Sequence, residues 1–169
     1  MRGKQTLICV AFFTFLSLNS LAQTDTIPLQ DISFSADSIV LAIWQIQTKE
    51  MSSSEDDATE FSIQLQREFL DLSTAKKLNE LFAQSSSYDY TRALLYHYNL
   101  VFEFWQNGSV VTEVYVSTLT GNIDIVDVQT ETAFENNCGS NLNSFLLELL
   151  HKHSLIDLVG DVGTDGLEP

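Results

Sequence analysis

The stretch LVFEFWQNGSVVTEVYVS, residues 100–117, constrains the fold of this chain most strongly. Aromatic and β-branched residues alternate with polar ones on both sides of Asn107-Gly108, a dipeptide that favours a tight turn between antiparallel strands. The stretch therefore predicts a β-hairpin. Because successive side chains of a strand point to opposite faces, one face of this hairpin should be buried and the other should be polar.

The register of the hairpin depends on the length of its turn. A two-residue Asn107-Gly108 turn would place Phe102 opposite a glutamate, which mixes apolar and charged residues on the core side. A three-residue loop, 106–108, would pair Phe104 with Val110 and give a consistently apolar face, with the glycine in the left-handed position of a bulge. Since a one-residue shift inverts a whole strand, we expect burial to select the three-residue loop.

Periodicity elsewhere predicts two amphipathic helices and three further strands. Strands are expected over residues 32–47, 61–70, 96–105, 109–117 and 122–129, and helices over 73–84, capped by Ser73, and over 140–153, capped by Ser140 or Asn141. Residues 49–60, 85–90 and 130–139 are expected to be loops or turns. Runs of adjacent strands favour an antiparallel sheet. The predicted fold class is therefore α+β, an antiparallel sheet of about five strands with two amphipathic helices packed on one face.

The first 22 residues have the three-part pattern of a secretory signal peptide. Two basic residues precede an apolar run, Leu7 to Leu18, and Ser20-Leu21-Ala22 places small residues at the −3 and −1 positions of a cleavage site. The run is shorter than the roughly 20 residues needed to cross a bilayer. We therefore expect cleavage after Ala22 and export to the periplasm or beyond. The exported part, residues 23–169, should be a single domain with a loose acidic tail from about residue 157.

Acidic residues dominate the charge of the chain. The sequence has 23 Asp and Glu against 8 Lys and Arg, a formal net charge of −15. Such a surface repels nucleic-acid phosphates and anionic lipids, so no nucleic acid and no membrane insertion after signal cleavage are expected. The negative charge either serves solubility or attracts a partner. The partner that it favours is an unknown protein or small ligand, basic or cationic.

Signatures of the common enzyme classes are missing from the sequence. The chain has no G-x-S-x-G elbow, no G-x-G-x-x-G and no P-loop, and no cofactor is expected. Cys138 is either a buried apolar residue or, just before a helix N-terminus, a nucleophile of lowered pKa. His151 and His153 are two residues apart, which separates them on a helix, so no metal site is expected. The acidic DVGTDG, residues 161–166, matches a calcium loop poorly.

The segment from the first helix to the last predicted strand resembles small uncharacterised secreted proteins of Bacteroidota. The similarity rests on the capped helix, a tyrosine-containing loop and LVFEFWQNGSVVTEVYVSTLTGNI, and the leader ending SLAQ is similar as well. It covers about residues 73–125 and implies no particular activity. Such relatives often have cysteines near these strands, and this chain has none there.

The polar face of the predicted hairpin is the candidate ligand-binding site, because it combines aromatic rings with hydrogen-bonding groups. Its residues are His97, Asn99, Glu103, Trp105, Glu113 and Tyr115. No residue is predicted to be catalytic. We therefore expect an exported, non-enzymatic binding or interaction domain. Two alternatives stay open: a small secreted hydrolase or thiol enzyme that uses Cys138, and a structural component of the cell envelope.

Overall fold

A computed structural model of the protein describes residues 28–29, 32, 34–49, 59–89, 93–94 and 97–159. These residues form one antiparallel sheet and two α-helices. The strands are β1 (Ser38–Lys49), β2 (Thr59–Phe69), β3 (Tyr88–Asp89), β4 (Leu100–Gln106), β5 (Ser109–Val116), β6 (Asn122–Asp127) and β7 (Thr132–Cys138), and the helices are α1 (Leu72–Phe82) and α2 (Ser140–Lys152). The mixed α+β class is confirmed. The strand count is wrong, because the sheet has seven strands and not about five. The predicted signal peptide, most of the loop predicted over residues 49–60, and tail residues 160–169 lie outside the described residues.

The strands follow the order β2-β1-β4-β5-β6-β7-β3 across the sheet. Strands β1 and β2 pair as a long antiparallel hairpin, with a bulge between Ile43 and Trp44. Strand β1 pairs with β2 as far as Lys49, but its pairing with β4 ends at Ile43. The distal half of the β1–β2 hairpin therefore extends beyond the rest of the sheet.

The β4–β5 hairpin closes through a two-residue turn, so the predicted three-residue loop is wrong. Gln106 pairs with Ser109, and both turn residues have left-handed backbones, with φ of 52° at Asn107 and 80° at Gly108. Such a turn matches the right-handed twist of the strands on either side. The twist of the strands, rather than the composition of the core face, therefore fixes the turn.

A bulge in β5 keeps the core side of this hairpin apolar. The pairing shifts between Phe104 and Trp105, so Phe104 lies opposite Thr112 and Phe102 opposite Val114. This register differs from the predicted one by two residues. Because side chains alternate with period two, an even shift preserves the faces. Phe102 and Phe104 are accordingly fully buried, as predicted, although their partners are different.

Strand β7 and the two-residue β3 account for the difference in strand number. The sequence of β7, TAFENNC, includes two asparagines and a glutamate, which strands disfavour, and it was expected to be a loop. It nevertheless pairs with β6 from Asp127↔Thr132 to Asn122↔Asn137. The pairing offered by β6 overrides the weak local propensity of β7.

Both helices have caps other than the predicted ones. Asp71, and not Ser73, caps α1, since its Oδ1 accepts a hydrogen bond from the Thr74 N–H at 3.0 Å. Hydrogen bonds from the Ser73 hydroxyl and the Thr74 backbone hold the pKa of Asp71 well below its usual range. Helix α2 is preceded by Gly139, which has no side chain to cap it. A Cβ on Gly139 would lie 3.1 Å from the Ser87 carbonyl, so close packing requires glycine there.

One hydrophobic cluster joins both helices to the same side of the sheet, which we call the inner face. Its fully buried large side chains are Ile39, Leu41, Ile43, Leu78, Phe82, Leu100, Phe102, Phe104, Ile123, Ile125, Leu142 and Leu146. Phe82 of α1 packs edge-on against Phe102, with 5.6 Å between ring centroids. No helix within the described ranges has the length and apolar character needed to cross a bilayer.

Candidate functional site

The side of the sheet turned away from this cluster, the outer face, carries most of the predicted site residues. One row across it contains Arg67, Ala42, Val101, Tyr115 and Asp124, and the next contains Phe69, Val40, Glu103, Glu113 and Val126. Val40 and Ala42 are almost inaccessible, at 1% and 0% exposure, because larger neighbours enclose them. The outer face is therefore a layer of aromatic and charged side chains over a floor of small ones.

Arg67, Glu103 and Trp105 form a hydrogen-bonded cluster on this face. One oxygen of Glu103, Oε2, accepts hydrogen bonds from Arg67 Nη2 at 2.5 Å and from the Trp105 indole N–H at 2.9 Å. The Arg67 guanidinium carbon lies 5.8 Å from the centre of the Trp105 ring, within the range of a cation–π contact. Each member therefore orients the other two, and the indole ring is held at a fixed position.

Arg67 is the member of this cluster that the sequence did not predict. It belongs to β2, and β1 lies between β2 and β4 in the sheet. Its neighbour on β1 is Ala42, whose short side chain lets the arginine cross over the strand towards Glu103. A basic residue near the end of a predicted strand was the available signal, but the neighbours of Arg67 could not be assigned before the strand order was known.

Glu113 and Tyr115 form a second contact beside the first. Glu113 is the direct cross-strand neighbour of Glu103, and its carboxylate accepts a hydrogen bond from the Tyr115 hydroxyl. Burial raises the pKa of Tyr115 above its usual range, and the Glu113 carboxylate raises it further. Two carboxylates in directly opposed positions repel each other. Arg67 on one and a phenol donor on the other offset that repulsion.

A shallow cavity of about 190 Å³ lies at the corner of the outer face next to this cluster. Trp105 and Phe69 supply aromatic walls, Arg67 and Asp37 supply charged groups, and Ser38 and Gly108 complete the lining. Phe69 is 73% exposed, a large fraction for a phenylalanine within a strand. The Asp37 carboxylate accepts a hydrogen bond from the Asn107 N–H at 2.9 Å, so the acidic wall is fixed to the hairpin turn.

Asn99 and His97 are not part of this cluster. The Asn99 side chain accepts a hydrogen bond from the Thr118 N–H at 2.9 Å and donates one to the Val159 carbonyl at 3.0 Å. It therefore links the residue just before β4 to the β5–β6 turn and to the segment that follows α2. These contacts indicate a structural role. His97 is exposed and lies outside β4, which begins at Leu100, four residues later than the predicted start at residue 96.

Cys138 is a free thiol with 4% exposure, so it belongs to the hydrophobic core. Burial raises the pKa of this thiol well above its ordinary value. The expected lowering by the α2 N-terminus is therefore outweighed by desolvation. A nucleophilic cysteine needs both access and thiolate character, and the position of Cys138 provides neither.

The basic end of α2 contacts residues at the end of β2 and at the start of α1. Lys152 Nζ lies 3.0 Å from Asp71 Oδ2, and His153 Nδ1 lies 2.7 Å from Glu68 Oε1. His151, in the last turn of the same helix, is exposed. These contacts hold the end of α2 against the start of α1 and the end of β2.

Within the described ranges, no group of three or more His, Cys, Asp or Glu side chains is arranged to hold a metal ion. The acidic segment 161–166, which was compared with a calcium loop, lies outside those ranges.

Comparison of the chain with protein-family models, with curated proteins and with solved structures finds no match. The resemblance to secreted proteins of Bacteroidota stays a prediction.

Proposed function

We propose that this chain is an exported, non-enzymatic domain that binds another protein through the outer face around Trp105. The observation that carries the proposal is the cavity between Trp105 and Phe69. A phenylalanine that is 73% exposed beside an oriented indole is an apolar surface that a partner can cover. Aromatic anchors with a nearby arginine are also the residue types enriched at the centres of protein interfaces.

The hydrogen bonding on the outer face supports binding better than catalysis. Glu103 is engaged by both Arg67 and Trp105, and Glu113 accepts from a tyrosine whose pKa is raised. These groups are arranged to stabilise one another rather than to transfer a proton to a substrate. The alternative of a thiol enzyme depends on Cys138, and its burial gives that alternative no support.

A structural role in the cell envelope is the second candidate. It would use the same exported domain, but its contacts would be spread over the surface rather than concentrated at the cavity. The exposure of Phe69 next to Trp105 favours a localised site.

Site-specific photo-crosslinking in the cells that produce the protein tests this proposal. A photoreactive phenylalanine analogue replaces Phe69 in one variant and Leu119 in a control variant. Leu119 is 53% exposed and lies in the β5–β6 turn, away from the cavity. We expect a discrete crosslinked product from position 69 and none from position 119, and we expect Trp105→Ala to remove it. Equal products from both positions, or none from position 69, would contradict the proposal.

A further inference from the structure

Strand β2 has a free edge along the boundary of the sheet. It is the first strand in the order, and no described strand pairs with its outer side. The Leu70 N–H donates to the Ile39 carbonyl, so the backbone groups of Leu70 point towards β1. Because these directions alternate along an antiparallel strand, the N–H and C=O groups of Phe69 and Arg67 point away from the sheet.

The same conclusion holds on the other side of the β1–β2 bulge. The Trp44 N–H donates to the Asn99 carbonyl, so the backbone of Trp44 points towards β4 rather than β2. Its partner Gln64 is therefore in a non-hydrogen-bonded pair, and its own backbone groups face the free edge. Gln64, Arg67 and Phe69 thus present backbone donors and acceptors with which no strand in the described ranges pairs.

Protection of this edge is limited. Natural edge strands are commonly blocked by proline, by charged residues, by bulges or by a covering element. Strand β2 has one bulge and three charged residues, Glu60, Arg67 and Glu68, but it contains no proline and carries exposed Ile63, Leu65 and Phe69 at 36%, 38% and 73% exposure. Such a strand can accept an additional strand through its backbone.

The cavity lies directly beside this edge. Arg67 and Phe69 of β2 both line it, so a chain paired with them would have a side chain next to the opening. Its walls suit a cation: the Trp105 ring already has the Arg67 guanidinium 5.8 Å from its centre, and the Asp37 carboxylate also lines the cavity. The charge of Arg67 itself is offset by Glu103.

The charge of the whole chain points to the same partner. With 23 acidic against 8 basic residues, the protein attracts basic segments and repels acidic ones. We infer that an extended basic segment of a partner protein adds as a strand to the free edge of β2 and inserts a lysine or arginine side chain into the cavity. This inference rests on the proposed function and specifies how the partner is recognised.

Three synthetic nine-residue peptides test the inference on the intact domain. The first alternates valine and arginine. The second has the same arginines but proline in place of valine, so it has equal charge and no capacity to form a strand ladder. The third alternates valine and glutamate. We expect the first peptide to bind. The affinity of the second peptide should be lower by about tenfold or more, because its ladder hydrogen bonds are lost.

Amide hydrogen exchange locates the contact. Binding of the valine–arginine peptide should protect the amides of Gln64, Arg67 and Phe69, which point away from β1. Gln64→Pro removes an outward donor and should weaken binding about tenfold, whereas Gln64→Ala should not change it. A melting curve shows that each variant is folded.

The outcomes separate this inference from the proposed function. Equal binding of both basic peptides, binding of the acidic peptide, or absence of any binding would overturn strand addition. Protection elsewhere than β2 would overturn it too. The crosslinking result at Phe69 can stand in each of these cases. By contrast, the absence of a crosslinked product specific to position 69 in the otherwise unchanged protein refutes the proposed function itself.

Discussion

Phe102 and Trp105 belong to the same strand but lie on opposite faces of the sheet, and alanine substitutions at the two positions should therefore have different effects. Phe102 has 0% exposure and packs edge-on against Phe82. Trp105 is partly exposed and lines the cavity. If the outer face is a binding surface and the inner face is the core, Phe102→Ala should destabilise the domain far more than Trp105→Ala.

The expected magnitudes follow from burial. Phe102→Ala removes a fully enclosed ring and leaves a cavity, which costs about 3–5 kcal/mol in other cores. Trp105→Ala removes a partly solvated ring and one hydrogen bond to Glu103, while Glu103 keeps its bond to Arg67. We expect a cost of about 1 kcal/mol for this hydrogen bond and its packing. With a urea m-value of about 2 kcal/mol/M, the midpoints should fall by roughly 2 M and 0.5 M.

Urea unfolding followed by far-ultraviolet circular dichroism measures both midpoints without depending on tryptophan fluorescence. Phe104→Ala is a second inner-face control, since Phe104 also has 0% exposure. A fall for Trp105→Ala as large as that for Phe102→Ala would refute the reasoning. The indole would then be a structural element of the outer face, and loss of crosslinking in that variant would report unfolding.

Three further results are expected. Gly108→Ala should destabilise the domain by about 1 kcal/mol through backbone strain alone, because φ is 80° and no atom lies within 4 Å of the added Cβ. Gly108→Asn should recover part of this loss, and equal stability of the wild type and the two variants would contradict the reasoning. Cys138 should react with a thiol reagent only after denaturation, since it is buried and its pKa is raised; rapid labelling of the native protein would contradict its core position. Because the pKa of folded Asp71 is lowered, its contribution to stability is present above the ordinary carboxyl pKa of about 4 and is lost as the pH falls below it. The difference in unfolding free energy between wild type and Asp71→Ala should therefore shrink on acidification, and a difference that grows would refute the cap assignment.

The sequence predicted the fold class because the hydrophobic periods of its main segments are strong. The alternation of residues 100–117 and the leucine stripe of residues 142–150 each leave one arrangement that buries the apolar residues. It did not predict β7, whose seven residues have little intrinsic preference for a strand and depend on pairing with β6. Caps were also misassigned, since both Asp71 and Ser73 are good capping residues and their geometry decides between them.

The candidate site was predicted in part for the same physical reason. Glu103 and Trp105 share a face because they are two residues apart on one strand, which alternation alone determines. Arg67, Phe69 and Asp37 come from other parts of the chain, and their proximity depends on the order of the strands. Asn99 has the same sequence parity as Glu103, but it lies before β4 begins, where alternation no longer fixes its direction.

The order of the strands also has a consequence for the rate of folding. Strands β4, β5, β6 and β7 are consecutive in the chain and adjacent in the sheet, and β1 and β2 form a hairpin of their own. Each of these two units can assemble from local contacts. Joining them requires β1 to meet β4, with Ser38 opposite Trp105 and Ile43 opposite Leu100. This is a non-local pairing whose loop-closure entropy is lost before its contacts form. The same step brings Asp37 and Ser38 beside Trp105, so the cavity should form in a slow phase of folding, after the two hairpin units have assembled.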